Sequence, residues 1–299
     1  MSPFVFRKLL RVGKSSMSLF FHKFLFNKDH TGGTLLSPSA TNTQSMSRAG
    51  LFDFSTRTPN RYWWFQQPSN LYLPLIFSHL TSQELLLMRQ WYDDTDRIPL
   101  HGEMNVPAMS IIYGLISGSS INSIVQLGHY SGWSTLLLGF LLRSMGKSKS
   151  FVSFDIDDKM TLYTKKWISR AGLTDYAEAL TYNSSSANAV NAADQFLGTR
   201  PKLLIIDSSH TYEHTLKELD LWWPQIQPGG LVLLHDVSLF AAEFDPALKG
   251  GCLRALEEWA SAHGQPYFAL NRNAVHNQPT SQLTYMDGCG LGILQKGFD

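Results

Sequence analysis

Three short segments carry residue types and spacings that can do chemistry. The first is Gly128-His129-Tyr130-Ser131-Gly132-Trp133-Ser134. Its glycines permit a tight turn and a close approach of ligand to backbone. The free N–H groups of a helix beginning near Trp133 can receive a carboxylate. The spacing is Gly-x-x-x-Gly, not the Gly-x-Gly-x-x-Gly of a dinucleotide site, and the segment lacks the Gly-Lys-Ser/Thr ending of a phosphate loop. The second segment, Asp155-Ile156-Asp157-Asp158, follows after about 25 residues, the span of one βαβ unit. An acid at a strand tip can accept hydrogen bonds from both ribose hydroxyls of a nucleoside, and Asp155 is placed for that. Asp157 and Asp158 suit the cap of the next helix. The third is split: Asp207-Ser208-Ser209-His210-Thr211-Tyr212-Glu213, and His235-Asp236 further on. Two carboxylates on neighbouring strand ends can hold a divalent ion through oxygen. A histidine beside them can take a proton from a hydroxyl nucleophile. Taken singly, each segment also reads as an ordinary turn, cap or loop hydrogen bond.

Those residues have value only if strands deliver them to one edge. Short apolar or β-branched runs lie at 124–127, 151–154, 177–181, 203–206, 231–234, 267–270 and 291–294, with helix-length stretches between the first five. This alternation predicts an α/β, doubly wound, mostly parallel sheet with helices on both faces. Ligands of such sheets bind at the carboxyl ends of the strands, where all three segments fall. Pro228-Gly229-Gly230 is a turn that leads into the fifth strand. Ahead of the sheet, Thr81-x-x-Glu84 forms a capping box before Leu85 and predicts a helix of about ten residues. A second helix is expected over 105–117.

The bulk numbers exclude more than they assign. Hydrophobic residues make up 43% of the 299 and charged residues 16%, enough for a sizeable core. A net charge of +1 gives no reason to expect a nucleic-acid partner. Cys252 and Cys289 form neither a disulfide framework nor a zinc motif, which fits a reducing, cytoplasmic compartment. The first 50 residues, however, hold seven basic side chains against the single acid Asp29. Residues 4–26 set basic positions on one helical stripe and aromatic or aliphatic ones on another. That pattern suits peripheral contact with a membrane surface, a partner groove, an organelle transit peptide or a loose leader. Its apolar runs are too short to span a bilayer. The organisation expected is a basic amphipathic arm and linker over 1–60, a helical lead-in over 61–120 and the main domain over 121–299. Tyr62-Trp63-Trp64-Phe65 opens the lead-in as buried aromatic area or as the mouth of a site.

The run Val125–Ser134 resembles the first motif of class I methyltransferases. The segment Leu203–Glu213, followed by Trp222, Pro228-Gly229-Gly230 and His235-Asp236, is similar to the subgroup of small-molecule and sugar O-methyltransferases. The resemblance covers roughly residues 100–295. It implies a seven-stranded sheet whose last strand runs antiparallel, and S-adenosylmethionine as cofactor. It places Gly128, Tyr130, Gly132 and Ser134 at the cofactor loop, Asp155 on the ribose and Glu103 near the cofactor. Gln126 stands where relatives carry an acid that meets the methionine amino group. The resemblance makes His210 the general base and Asp207 and Asp236 ligands of Mg²⁺. Relatives keep an Asn after the second of these acids, where this chain has Val237, so either His235 serves as a substitute ligand or the site is metal-free. The acceptor implied is a small molecule or sugar hydroxyl. Two other readings remain open on the residues alone: an NAD-type oxidoreductase, which the missing dinucleotide motif disfavours, and a non-catalytic binding module on the same fold.

Overall fold

The computed structural model describes residues 61–62, 72–276, 279 and 282–298. The arm over 4–26, the linker, and Trp63, Trp64 and Phe65 lie outside the described residues. Helix α1 (Leu75–Ser78) is followed by α2 (Ser82–Arg97). Thr81 caps α2 as expected: its hydroxyl accepts from Glu84 N–H, and the Glu84 carboxylate accepts from Thr81 N–H at 2.7 Å. The helix runs 16 residues, longer than the capping box alone indicates, because Leu85, Met88, Trp91, Tyr92 and Thr95 keep a buried face at helical spacing. Helix α3 (Val106–Ser119) begins with Pro in its first turn.

The alternation then proceeds as β1 (Ile124–Leu127), α4 (Trp133–Ser144), β2 (Phe151–Asp155), α5 (Asp158–Arg170) and β3 (Ala177–Thr181). It continues through α6 (Ala187–Leu197), β4 (Leu203–Ile206), α7 (Tyr212–Trp222), β5 (Leu231–His235), α8 (Gly251–Ala262), β6 (Tyr267–Leu270) and β7 (Leu291–Gln295). The seven strands form one sheet in the order β3-β2-β1-β4-β5-β7-β6. The pairs among β1 to β5 are parallel, and β7 runs antiparallel to both β5 and β6.

Buried strand residues divide between two cores by the strand period of two. Ile124, Phe151, Leu203, Ile205 and Leu233 join one core, which α2, α3, α4 and α5 cover with residues such as Trp91, Met109, Leu137 and Trp167. Val125, Leu127, Val152, Leu204, Ile206, Val232 and Leu234 join the other, under Ala189, Leu219, Trp222 and Leu256 of α6, α7 and α8. The lead-in helices therefore share the first core. Between β1 and β4 the chain's winding reverses, and the loops leaving these two strands part to opposite faces. That crevice is where ligands of doubly wound sheets lie. Among the described residues, no helix is long and apolar enough to cross a membrane.

Because the Thr81 box both starts α2 and lets Glu84 reach Arg143 of α4 at 2.6 Å, Thr81→Ala should lower unfolding free energy by about 1 kcal/mol. A chemical denaturation midpoint indistinguishable from that of the unsubstituted chain would rule out this role.

Candidate functional site

Gly128 leaves β1 with φ +88°, and a Cβ there would stand 1.9 Å from the carbonyl oxygen of Asp207 at the end of β4. Only glycine permits the two strand ends to come this close. Gly132 caps α4 with φ +85°, where a Cβ would meet the Thr164 side chain at 2.8 Å. It shapes the turn, and its neighbours do the facing. Between the two glycines Tyr130 also takes a left-handed φ of +42°, held by its N–H, which donates to Asp155 Oδ2 at 2.8 Å. The other Asp155 oxygen accepts from Asp157 N–H at 3.0 Å. Asp157 in turn caps α5 by accepting from Lys159 and Met160, as its position in the sequence indicates. The second-strand acid thus braces the glycine loop and still presents its carboxylate to the crevice.

A cleft of about 510 Å³ opens over these loops. Glu103, Gln126, Gly128, Tyr130, Ser134 and Asp155 all lie on its wall, and Asp207 and His210 lie at its far end. Gln126 is buried. Its amide NH₂ donates to the Gly128 carbonyl and to Ser134 Oγ, both at 2.7 Å. Its carbonyl oxygen Oε1 is buried with no hydrogen-bond partner among the described groups. A buried acceptor left open on a cleft wall is ready for a ligand donor.

The far end is a compact set of charges. His210 (φ +57°) and Asp236 (φ +62°) both take left-handed backbone conformations that turn their side chains together. His210 Nδ1 stands 2.5 Å from Asp236 Oδ2, as a close ion-pair contact whose angle is poor for a hydrogen bond. Burial alone would lower the His210 pKa, but Asp236, then Cys252 and Asp207, outweigh it and carry it up to about 11. Asp236, itself deeply buried, is held well below the usual carboxylate range by His235 and His210. His235 sits behind the cleft wall. Its Nδ1 lies 3.3 Å from Asp207 and 3.4 Å from Asp236, and its Nε2 lies 3.0 Å from Asp287. Asp287 accepts in addition from Asn105 Nδ2 at 2.8 Å, Cys289 N–H at 2.9 Å and Tyr285 O–H at 3.2 Å. A carboxylate with so many donors orients the His235 ring, and the resulting cation of His235 faces the other two acids.

This donor set is a poorer match for Mg²⁺, which takes six oxygens at about 2.0–2.1 Å, than one of carboxylates and waters alone, because two of the four side chains grouped here offer imidazole nitrogen. Val237 is buried and offers no atom. The acids that would bind the ion already meet imidazole nitrogens. Two ligands at right angles on one such ion stand roughly 3 Å apart, and the His210–Asp236 contact is shorter than that. The structure brings both His210 and His235 against Asp207 and Asp236, with His210 on the cleft and His235 behind it between three carboxylates. Asp287 and Asn105 had no signal in the sequence: they lie in a loop and in a helix cap far from the motifs they serve. Arg61, which pairs with Glu103 and Asp96, was likewise hidden beside the aromatic run that opens the lead-in.

The glycine contact makes a direct expectation. Gly128→Ala should destabilise the chain by on the order of 3 kcal/mol, from backbone strain and the clash together. Gly146→Ala, equally left-handed but with nothing within 4 Å of its added Cβ, should cost about 1 kcal/mol. Equal losses for the two variants in a denaturant titration would refute the close approach at Gly128.

Residues 125–237 match the family model of a methyltransferase domain. No curated protein matches the chain. Among solved structures, the fold is shared with an O-methyltransferase from Bacillus cereus in complex with SAH, at 14% identity and a TM-score of 0.53, over 70% of this chain and 90% of that one. It is shared too with the O-methyltransferase TomG from Streptomyces achromogenes, involved in tomaymycin synthesis and in complex with SAM: 11% identity, TM-score 0.54, 71% and 89% coverage. An SAH-bound methyltransferase from Podospora anserina aligns at 13% identity and TM-score 0.52, over 74% of this chain and 89% of that chain. Residues 125–237 are therefore similar to a methyltransferase domain, and the fold is one that solved methyltransferases share.

Proposed function

We propose that this chain transfers the methyl group of S-adenosylmethionine to a hydroxyl oxygen of a small-molecule acceptor, and does so without a divalent metal. The observation that carries the reading is one cleft lined by Gln126, Gly128 and Asp155 together with His210, whose ring is paired with the buried Asp236. This lining supports the cofactor assignment on three counts. Backbone at Gly128 is open to close approach, Asp155 offers carboxylate lone pairs to ribose hydroxyls, and Gln126 Oε1 is an unpaired acceptor for an ammonium group. Glu103 adds a second acidic wall near the same end. When bound there, S-adenosylmethionine supplies a methyl carbon attached to a positively charged sulfur, already primed for displacement.

What remains for the protein is alignment and one proton. The acceptor hydroxyl gives its proton to Nε2 of His210, the ring nitrogen that does not face Asp236. The acceptor oxygen forms its bond to the methyl carbon as the carbon–sulfur bond breaks, and the electron pair stays on sulfur. Asp236 holds the His210 ring and stabilises the imidazolium that results. Asp207 lies beside the same end of the cleft and favours that cation further. The sequence-level expectation put His210 at work as a base near neutrality. Its contact with Asp236 moves the working range upward, so most of the imidazole is protonated at neutral pH. A phenol with a pKa near 10 would pass its proton to such a base downhill. A sugar hydroxyl, the acceptor implied by the resemblance, is a weaker acid.

The test combines thermal shift with turnover. SAH should raise the melting temperature, and a panel of phenolic and sugar acceptors should identify one that is methylated in the presence of EDTA. With that acceptor kcat/KM should climb with pH between about 7 and 10, because His210 is protonated below its raised pKa and gains base form as pH rises. His210→Ala should lower kcat about 10²–10⁴-fold, flatten the profile and spare SAH affinity. Loss of turnover in EDTA with recovery on Mg²⁺ would overturn the metal-free reading, and an unchanged His210 variant would overturn the base.

A further inference from the structure

Arg61 and Tyr62 form a turn at the start of the lead-in, and the Arg61 side chain is only 6% exposed. Its guanidinium forms ion pairs with Glu103 and Asp96 and donates to Thr95 Oγ1 at 2.8 Å. Three aromatic rings surround it, with centroids at 4.9 Å for Tyr92, 5.4 Å for Trp91 and 5.7 Å for Tyr62. Tyr62 O–H also donates to Asp96 at 2.7 Å. A buried cation this fully matched is costly to break, because each partner left behind is itself an unpaired or poorly hydrated group.

Two of these partners reach the glycine loop directly. Trp91 Nε1 donates to the Ser131 carbonyl at 2.8 Å, and Tyr92 O–H accepts from Trp133 Nε1 at 2.7 Å. A third, Glu103, stands on the cleft wall, and Gly102 beside it packs its backbone against the Tyr130 ring, 3.2 Å from where a Cβ would be. One guanidinium therefore ties together helix α2, the 101–104 wall and the loop over 128–134. None of these elements adjoins Arg61 in sequence.

We propose that Arg61 is a positioning residue of the cofactor cleft: it fixes the Glu103 carboxylate on the wall and braces the 128–134 loop through the Trp91–Tyr92 pair. The inference rests on the reading of that cleft as the cofactor's. It assigns to the segment just ahead of the main domain a part in ligand binding that none of the cleft motifs contains. A single buried arginine is well suited to the task, since its planar fork can hold two carboxylates while its faces stack on rings.

The experiment is a double-mutant cycle on SAH affinity by calorimetry, using the full chain and the variants Arg61→Met, Glu103→Gln and both together, with Arg61→Lys as the conservative partner. Arg61→Met should weaken SAH binding about tenfold, the scale of coupling between residues in direct contact. Arg61→Lys should recover part of the loss. The double variant should bind no worse than Arg61→Met, because Glu103 then has nothing left to be held by. Additive losses in the double variant, or wild-type affinity in Arg61→Met, would overturn the proposal. Should Arg61→Met fail to fold, the cycle of Arg61→Lys with Glu103→Gln is read by the same criterion. If the unsubstituted chain itself shows no SAH binding, the cofactor reading has failed, and that outcome is distinct from a failure of Arg61.

Discussion

The backbone of Gly128 passes so near the Asp207 carbonyl that nothing larger than hydrogen fits between them, and the site is organised around that approach. It follows from two facts of the sheet. Strands β1 and β4 pair in parallel, Ile124 beside Leu203 and Leu127 beside Ile206, so they end level with each other. Their helices then leave for opposite faces, α4 into one core and α7 into the other. Two chains that end together and part at once leave a crevice whose floor is main chain. A side chain at position 128 would fill it. The loop after β1 can receive a ligand, and the residues after β4 can reach the same ligand, only because that position is empty.

Charge around His210 obeys a similar economy. Asp207, Asp236 and Asp287 would repel one another if left alone in a poorly hydrated wall. Two imidazoles separate them, His210 at the cleft and His235 behind it, and Asp287 is further satisfied by Asn105, Tyr285 and the Cys289 N–H. The arrangement supplies from within the chain the positive charge that a bound cation would supply. It also commits the histidines: an imidazole flanked by acids keeps its proton to higher pH than one in water. The proton affinity of these histidines is therefore coupled to acids both near in sequence, as Asp207 is to His210, and far from it, as Asp287 is from His235.

Much of this was legible from residues alone, for identifiable reasons. The strands were read nearly to their ends because both faces of the sheet are covered, which makes each strand a short continuous apolar run. The Thr81 box and the Asp157 cap were visible because caps depend on near neighbours. The placement of Asp155, Asp207 and Asp236 at strand tips followed from the strands. What could not be read was which charged groups would face one another. Asp287 meets His235 across 52 positions and Arg61 meets Glu103 across 42, with no period or spacing to announce either. The close contact of His210 with Asp236 depends on two left-handed backbone turns, a conformation that His and Asp adopt more readily than most residues but that no spacing announces. Length of helix was underread for a related reason: α2 extends as far as the first core can receive it, a matter of packing and not of its cap.

The order of the strands has a consequence for how the chain acquires its site in time. The central pair, β1 with β4, joins residues 79 positions apart, and β2 and β3, which lie between them in sequence, must be placed with their helices on the far side of β1. Contacts of such long range are slow to form, because the entropy of closing the loop is lost before any of them is made. Neither wall of the crevice exists until that closure has occurred. A small ligand thus has nothing to grip in the early, partly collapsed chain and cannot guide its assembly. It acts only on the finished molecule, as a weight that slows the return to the unfolded state.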